Sequence, residues 1–191
     1  MPSSGVVGVL LPVARCRRSA CYERSVAEYV DSFEYSEDGM YRWWYERRWG
    51  YGPSLCWIGL NPSTGDTTGR PRPTLRKVVE RARMEGLAAV SVVNLFSWRA
   101  TKPADRRDAH GAGIDIIGNR TDTVIKEFSE RSAVTLAAWG AHGSLLDRGN
   151  RVAQLLSHPL CLGTTSGGEP RHPLYVASTA ETIPYIPYPR D

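Results

Sequence analysis

The run Ser54-Leu55-Cys56-Trp57-Ile58-Gly59-Leu60-Asn61-Pro62 sets the architecture. It is apolar and short, and it stops at an Asn-Pro pair, as a buried strand does when it meets a turn. Downstream, Pro73 opens a stretch carrying Leu75, Val78, Val79, Ala82 and Met84 that closes at Gly86, and a proline start with a glycine stop predicts a helix. Ala88 to Phe96 is a second β-branched run, Ile114 to Arg131 fits a helix, and Ala133 to Ala138 is a third buried strand. Leu145 to Ser157 reads as a further helix and Leu160 to Thr164 as a last strand. Strands alternating with helices predict an α/β fold: a three-layer sandwich around a central, mainly parallel four-stranded sheet, with ligands at the carboxyl ends of the strands.

Upstream, Gly5 to Val13 reads as a buried strand and Glu23 to Asp31 as a short helix. Phe33 to Trp49 is dense in aromatics, with an imperfect alternation that fits strand and loop. No linker or repeat divides the chain, so a single domain is expected over 1–191: an N-terminal strand and aromatic segment (1–53), a motif-bearing core (54–175) and a tail (176–191). At 191 residues it is long enough to bury roughly 70% of its unfolded surface without disulfides or metal.

Composition narrows the function classes. No apolar stretch approaches the roughly 20 residues that span a bilayer. The basic cluster Arg15, Arg17 and Arg18 follows the opening apolar run instead of preceding it, the wrong polarity for a signal peptide, so a cytoplasmic protein without membrane contact is expected. With 24 Lys and Arg against 20 Asp and Glu the net charge is +4, which permits a phosphate-bearing ligand without demanding one. Four cysteines show no CxxC pair, which fits a reduced chain; Cys56 and Cys161 read as core, and Cys16 and Cys21 stay open as metal or iron–sulfur ligands. No cofactor or metal is otherwise expected.

Polar residues follow each strand. The first long strand ends in Asn61-Pro62-Ser63-Thr64, the second in Asn94-Leu95-Phe96-Ser97-Trp98-Arg99, the third in Trp139-Gly140-Ala141-His142-Gly143, and the last leads to Pro170-Arg171-His172-Pro173-Leu174-Tyr175. Taken singly, each has a structural reading: Asn61 as a turn opener, Asn94 as a cap, His142 as a solvated loop residue, Trp139 as core. Together, two amides, two imidazoles, an aromatic wall and arginines suit a flat polar heterocycle beside a sugar or phosphate.

The ordered set N-P-S-T, V-N-L-F-x-x-R-A-T, A-W-G-x-H-G and G-x-P-R-H-P-L-Y, from about Tyr41 to Tyr175, resembles an uncharacterised bacterial and phage family catalogued as a domain of unknown function. Arg72-Pro73-Thr74 departs from it, since that family usually carries Asp-Pro-Thr there. The family is in turn similar to the uracil-DNA glycosylase superfamily, whose G-x-N-P-G strand end corresponds to Gly59-Leu60-Asn61-Pro62-Ser63 and whose base-reading Asn corresponds to Asn94. The resemblance implies that fold and a glycosylase-like hydrolase cleaving the N-glycosidic bond of a nucleobase in nucleic acid or a nucleotide. Asn61 would orient water and His172 would donate to the leaving base, these two being the catalytic pair. Asn94, Phe96, Trp139 and Gly140 would contact the base, with His142 and Tyr175 beside it, and Arg99 and Arg171 would meet phosphate. A non-catalytic binder of a flipped or modified base and a nucleotide-modification enzyme are the alternatives.

Overall fold

Leu55, Trp57 and Gly59 alternate with Cys56 and Ile58 along one strand, and every residue from Ser54 to Gly59 is buried, so both faces of this strand must be covered. The computed structural model describes residues 4–8, 29–63 and 73–187. In chain order the strands are β1 (Ser4–Gly8), β2 (Val30–Tyr35), β3 (Arg42–Arg48), β4 (Ser54–Gly59), β5 (Ala89–Asn94), β6 (Val134–Ala137), β7 (Leu160–Cys161) and β8 (Ile183–Pro184), and the helices are α1 (Pro73–Met84), α2 (Pro103–Gly111), α3 (Thr121–Arg131) and α4 (Arg148–Ala153).

The strands form one mixed sheet in the order β1-β2-β3-β5-β4-β6-β7-β8. Its centre is the expected parallel set, with β4 flanked by β5 and β6, and β7 beyond β6. The sheet is wider than the four strands expected. The aromatic segment supplies an antiparallel pair, β2 with β3, that docks on β5, and β8 closes the far edge antiparallel to β7. A turn at Ser36 to Tyr41 makes the pair: Asp38 accepts from Ser36 Oγ and from the Met40 amide, and the Tyr41 amide donates to Ser36 Oγ. The expected helix at 23–31 lies largely outside the described residues, and its last two positions belong to β2.

Helices cover both faces. Leu75, Val78 and Ala82 of α1 pack on Leu55, Trp57, Val90, Val92 and Leu136. Val124, Ile125 and Phe128 of α3 and Val152 and Ala153 of α4 pack on Cys56, Ile58, Val93 and Ala137. Cys56 and Cys161 are free and buried, as their apolar surroundings require, whereas Cys16 and Cys21 lie outside the described residues.

Three element boundaries differ from expectation. The helix expected from Ile114 begins only at Thr121, because the Asp115 carboxylate accepts from the Ile117 and Gly118 amides and Gly118 has φ +89°. Ahead of it lies the unforeseen α2, which opens on Pro103, with the Asp105 carboxylate accepting the Lys102 amide at 2.9 Å. The helix expected over 145–157 is a 3₁₀ segment, Ala141–Asp147, followed by the short α4, with left-handed Leu146 and Asp147 breaking it. Among the described residues no helix is long and apolar enough to cross a membrane.

Candidate functional site

The carboxyl ends of β4 and β5 meet at Gly59, which pairs with Asn94. Trp57 and Gly59 point to the α1 side of the sheet, and so do Val90, Val92 and Asn94 by alternation. The missing side chain of Gly59 lets Asn94 and Trp57 close in over its backbone, a corner called the Gly59 notch. A Cβ built there would stand 2.9 Å from Asn94 Oδ1 and 3.6–3.7 Å from the indole of Trp57. Both neighbours are buried, Asn94 at 3% exposure and Trp57 at 7%. Both also carry a sealed donor without a hydrogen-bond partner, Asn94 Nδ2 and Trp57 Nε1. A buried donor left unmade costs about 1–3 kcal/mol, so two of them side by side at Gly59 stand out in this fold.

His172 borders this notch through Trp57, its ring lying edge-on to the indole with centroids 6.4 Å apart. Gly140 makes that approach possible. Its φ of +74° and a Cβ that would stand 3.3 Å from His172 Cβ both exclude a larger residue. The His172 Nδ1 accepts the Leu174 amide at 3.3 Å, which places the ring proton on Nε2 in the neutral form. Burial lowers its pKa below the ordinary histidine value, so the neutral form persists at physiological pH. Lys77 of α1 fixes the segment from the other side, its ammonium donating to the carbonyls of Pro173 and Val176. Tyr175, 83% exposed, lies tilted on the His172 ring at 5.9 Å and caps the rim.

Asn61 has a different environment. Its Nδ2 donates to the carbonyls of Ala100 at 2.7 Å and Pro62 at 3.1 Å, and its Oδ1 accepts Arg106 Nη1 at 2.6 Å. The amide thus ties the loops after β4 and β5 together. Arg106, on α2, is 1% exposed and lies over the Phe96 ring at 4.8 Å. Burial, with Arg107 nearby, lowers its pKa to about 10.

The structure therefore brings Asn94 and His172 beside Trp57, with Gly140 and Tyr175 against His172, and sets the other expected residues apart. Phe96 is fully buried beneath Arg106. Trp139 lies in the core on the opposite face, its indole donating to the buried Glu169 carboxylate at 2.6 Å and meeting Tyr185 edge-on. His142 is exposed on the 3₁₀ segment. Arg99 donates to the Gly39 carbonyl and lies over Tyr35, and Arg171 donates through Nε to the Thr164 carbonyl. Arg72 lies outside the described residues. Sequence reasoning missed Trp57 and Arg106. The signal for Trp57 was available, since it shares a face with Gly59 two residues away; the signal for Arg106 depended on recognising α2.

Among the described residues no group of three or more His, Cys, Asp or Glu side chains is placed to hold a metal ion. Comparison with known proteins gives one match: a family model described as "Protein of unknown function (DUF1643)" covers residues 42–174, which include every element from β3 to His172. No curated protein and no solved structure matches the chain.

Proposed function

Since the chain belongs to the family described as protein of unknown function (DUF1643), its activity has to be argued from the site, and we propose that it is a glycosylase-like hydrolase. It sets the edge of a nucleobase, from a nucleotide or nucleic acid, against Asn94 and Trp57 at the Gly59 notch and cleaves the N-glycosidic bond. The observation that carries the reading is the pair of buried, unbonded donors, Asn94 Nδ2 and Trp57 Nε1, side by side at Gly59, where even a Cβ would crowd Asn94. A base amide edge offers the matching groups: a ring carbonyl accepts from Asn94 Nδ2, and an adjacent ring N–H donates to Asn94 Oδ1.

Bond cleavage leaves negative charge on the base and positive charge on the sugar, and water then adds to C1′ while the base takes a proton. A neutral His172 donating through Nε2–H to a base carbonyl stabilises that charge as it develops, without having to be protonated first. The resemblance to the uracil-DNA glycosylase superfamily supports this assignment, and with it a sandwich architecture of that type. A second reading, recognition of a modified base without cleavage, is favoured by Asn61: both amide hydrogens and the carbonyl oxygen are already engaged, so it is not free to position water.

Base release, read by mass spectrometry, separates the two. Purified protein is incubated with uracil-containing, mismatched and hypermodified oligonucleotides and with free nucleotides. Hydrolysis predicts release of one base, lowered by about two to four orders of magnitude in His172→Ala. Retention of a base-bearing ligand with no release selects the binding reading, and neither release nor retention rejects both.

A further inference from the structure

Arg106 is an interior arginine with no counter-charge among the described residues. Its Nη1 meets the neutral Asn61 Oδ1 and its face meets Phe96, while Nε is sealed from solvent and unbonded. Among the described residues no carboxylate pairs with it. A guanidinium brought out of water costs several kcal/mol unless it is paired and its donors are satisfied. The same fold shows what a structural arginine looks like here. Arg148, equally buried, donates Nε to the Leu95 carbonyl and pairs with the Asp122 carboxylate, and Arg47 forms a two-pronged pair with Asp31 at 2.7 Å on both prongs.

The position of Arg106 is as informative as its missing partner. Asn61 follows Gly59 by two residues and Phe96 follows Asn94 by two, so the two groups that hold the guanidinium both lie just past the notch at the carboxyl edge of the sheet, Phe96 in the core on the α3 side. Its holder is rigid. The Asn61 amide is fixed by the Ala100 and Pro62 carbonyls, and the Ala100 amide donates in turn to Pro62. A planar guanidinium with unspent N–H donors in a low-dielectric wall binds an oxyanion strongly once the anion reaches it. Arg99 and Arg171, the arginines expected to meet phosphate, are instead engaged with backbone carbonyls.

We propose that Arg106, held by Asn61, is a phosphate subsite serving the Gly59 notch, so that the ligand is a nucleotide unit carrying base, sugar and phosphate and not a free base or nucleoside. The proposal rests on the nucleobase reading of the notch. The phosphate comes either from a mononucleotide or from a nucleic-acid strand.

The test uses the full chain and four proteins: wild type, Arg106→Gln, Arg106→Lys and Asn94→Ala. Thermal unfolding is followed against sodium phosphate and against sodium chloride at matched ionic strength. Titrations then compare the common nucleosides, their 5′-monophosphates and a mixed-sequence single strand. Phosphate is expected to raise the wild-type Tm saturably where chloride does not, and monophosphates are expected to bind about tenfold or more tightly than their nucleosides. Arg106→Gln should erase both effects. Should that variant not fold, Arg106→Lys decides, since loss of the planar fork should weaken phosphate about tenfold. A wild type indifferent to phosphate, or a phosphate response unchanged by substitution of Arg106, overturns the proposal. Asn94→Ala keeps the response to phosphate alone. If Asn94→Ala leaves nucleotide affinity untouched while Arg106→Gln abolishes it, the notch reading fails and the phosphate site stands; the reverse pattern keeps the notch and overturns the phosphate site. Arg106-dependent binding of monophosphates identifies a free nucleotide as a sufficient source, and binding of the strand alone identifies nucleic acid.

Discussion

Replacing Gly59 with alanine puts one methyl group into the notch. The added Cβ would stand 2.9 Å from Asn94 Oδ1, closer than packed atoms tolerate, and at ordinary contact distance from the Trp57 indole. Something must yield, and Asn94 is the softer neighbour, because its Nδ2 has no bond holding it. Turning that side chain off its rotamer costs about 0.5–1.5 kcal/mol, and overpacking brings the total to about 1–3 kcal/mol. For a chain of this length that is a fall in Tm of about 2–12 °C, short of unfolding. The effect on the ligand is expected to be larger, because the displaced amide is the group proposed to read the base. A good two-point base contact is worth about 1–3 kcal/mol, or about 5- to 150-fold in affinity, and steric exclusion adds to it. The assay pairs a thermal melt with calorimetric titration of whichever nucleotide or oligonucleotide the wild type retains. A Gly59→Ala protein that binds and turns over like wild type would show that the notch is not the base site.

Asn61→Ala should be costlier to the fold, since it strips Arg106 Nη1 and the Ala100 carbonyl of their partner together; a loss of about 2–4 kcal/mol by chemical denaturation is expected, and a neutral outcome contradicts the tying role. The depressed pKa of His172 sets a pH dependence. Between its folded value and the ordinary value near 6.5 the unfolded chain binds more protons, so stability contributed by the neutral ring is complete above about pH 6.5 and is lost as pH falls through the folded value. His172→Gln should flatten that part of the denaturation-midpoint profile, and identical slopes in both proteins would remove the buried neutral ring from the account. Burial pushes the Cys56 thiol up to about 12, so peptide mapping after brief iodoacetamide treatment of native protein near pH 8 should find Cys56 unmodified, and rapid labelling would place it at the surface.

The parallel centre of the sheet was legible because β4, β5 and β6 are mostly apolar and end at polar turns. The hairpin of β2 and β3 was not, because its aromatics serve two cores: Trp43 and Trp44 pack toward α3, and Tyr45 and Trp49 toward α1, so alternation is blurred. Helix α2 escaped for a related reason. Its sequence, Pro-Ala-Asp-Arg-Arg-Asp-Ala-His-Gly, shows no apolar period, since its most deeply buried position is an arginine. The same fact hid Arg106 as a functional candidate. In the site, Asn94, Gly140 and His172 could be read from their places after strands. Asn61 and Phe96 occupy equally suggestive places but were consumed by packing and hydrogen bonds, which only three-dimensional neighbours decide. Trp57 looked like core because it is core; its unbonded indole nitrogen is invisible to periodicity.

The central claim is that Asn94 Nδ2 and Trp57 Nε1 lack partners because a base supplies them, and side-chain resonances test it most directly. In a ¹H–¹⁵N spectrum of labelled protein, titrated with the nucleotides and strands of the base-release screen, the Trp57 indole and the Asn94 amide should move downfield and exchange more slowly as hydrogen bonds form. The Trp139 indole, already bonded to Glu169, should stay where it is. A ligand that binds at stoichiometric level while Trp57 and Asn94 remain unmoved would contradict the account.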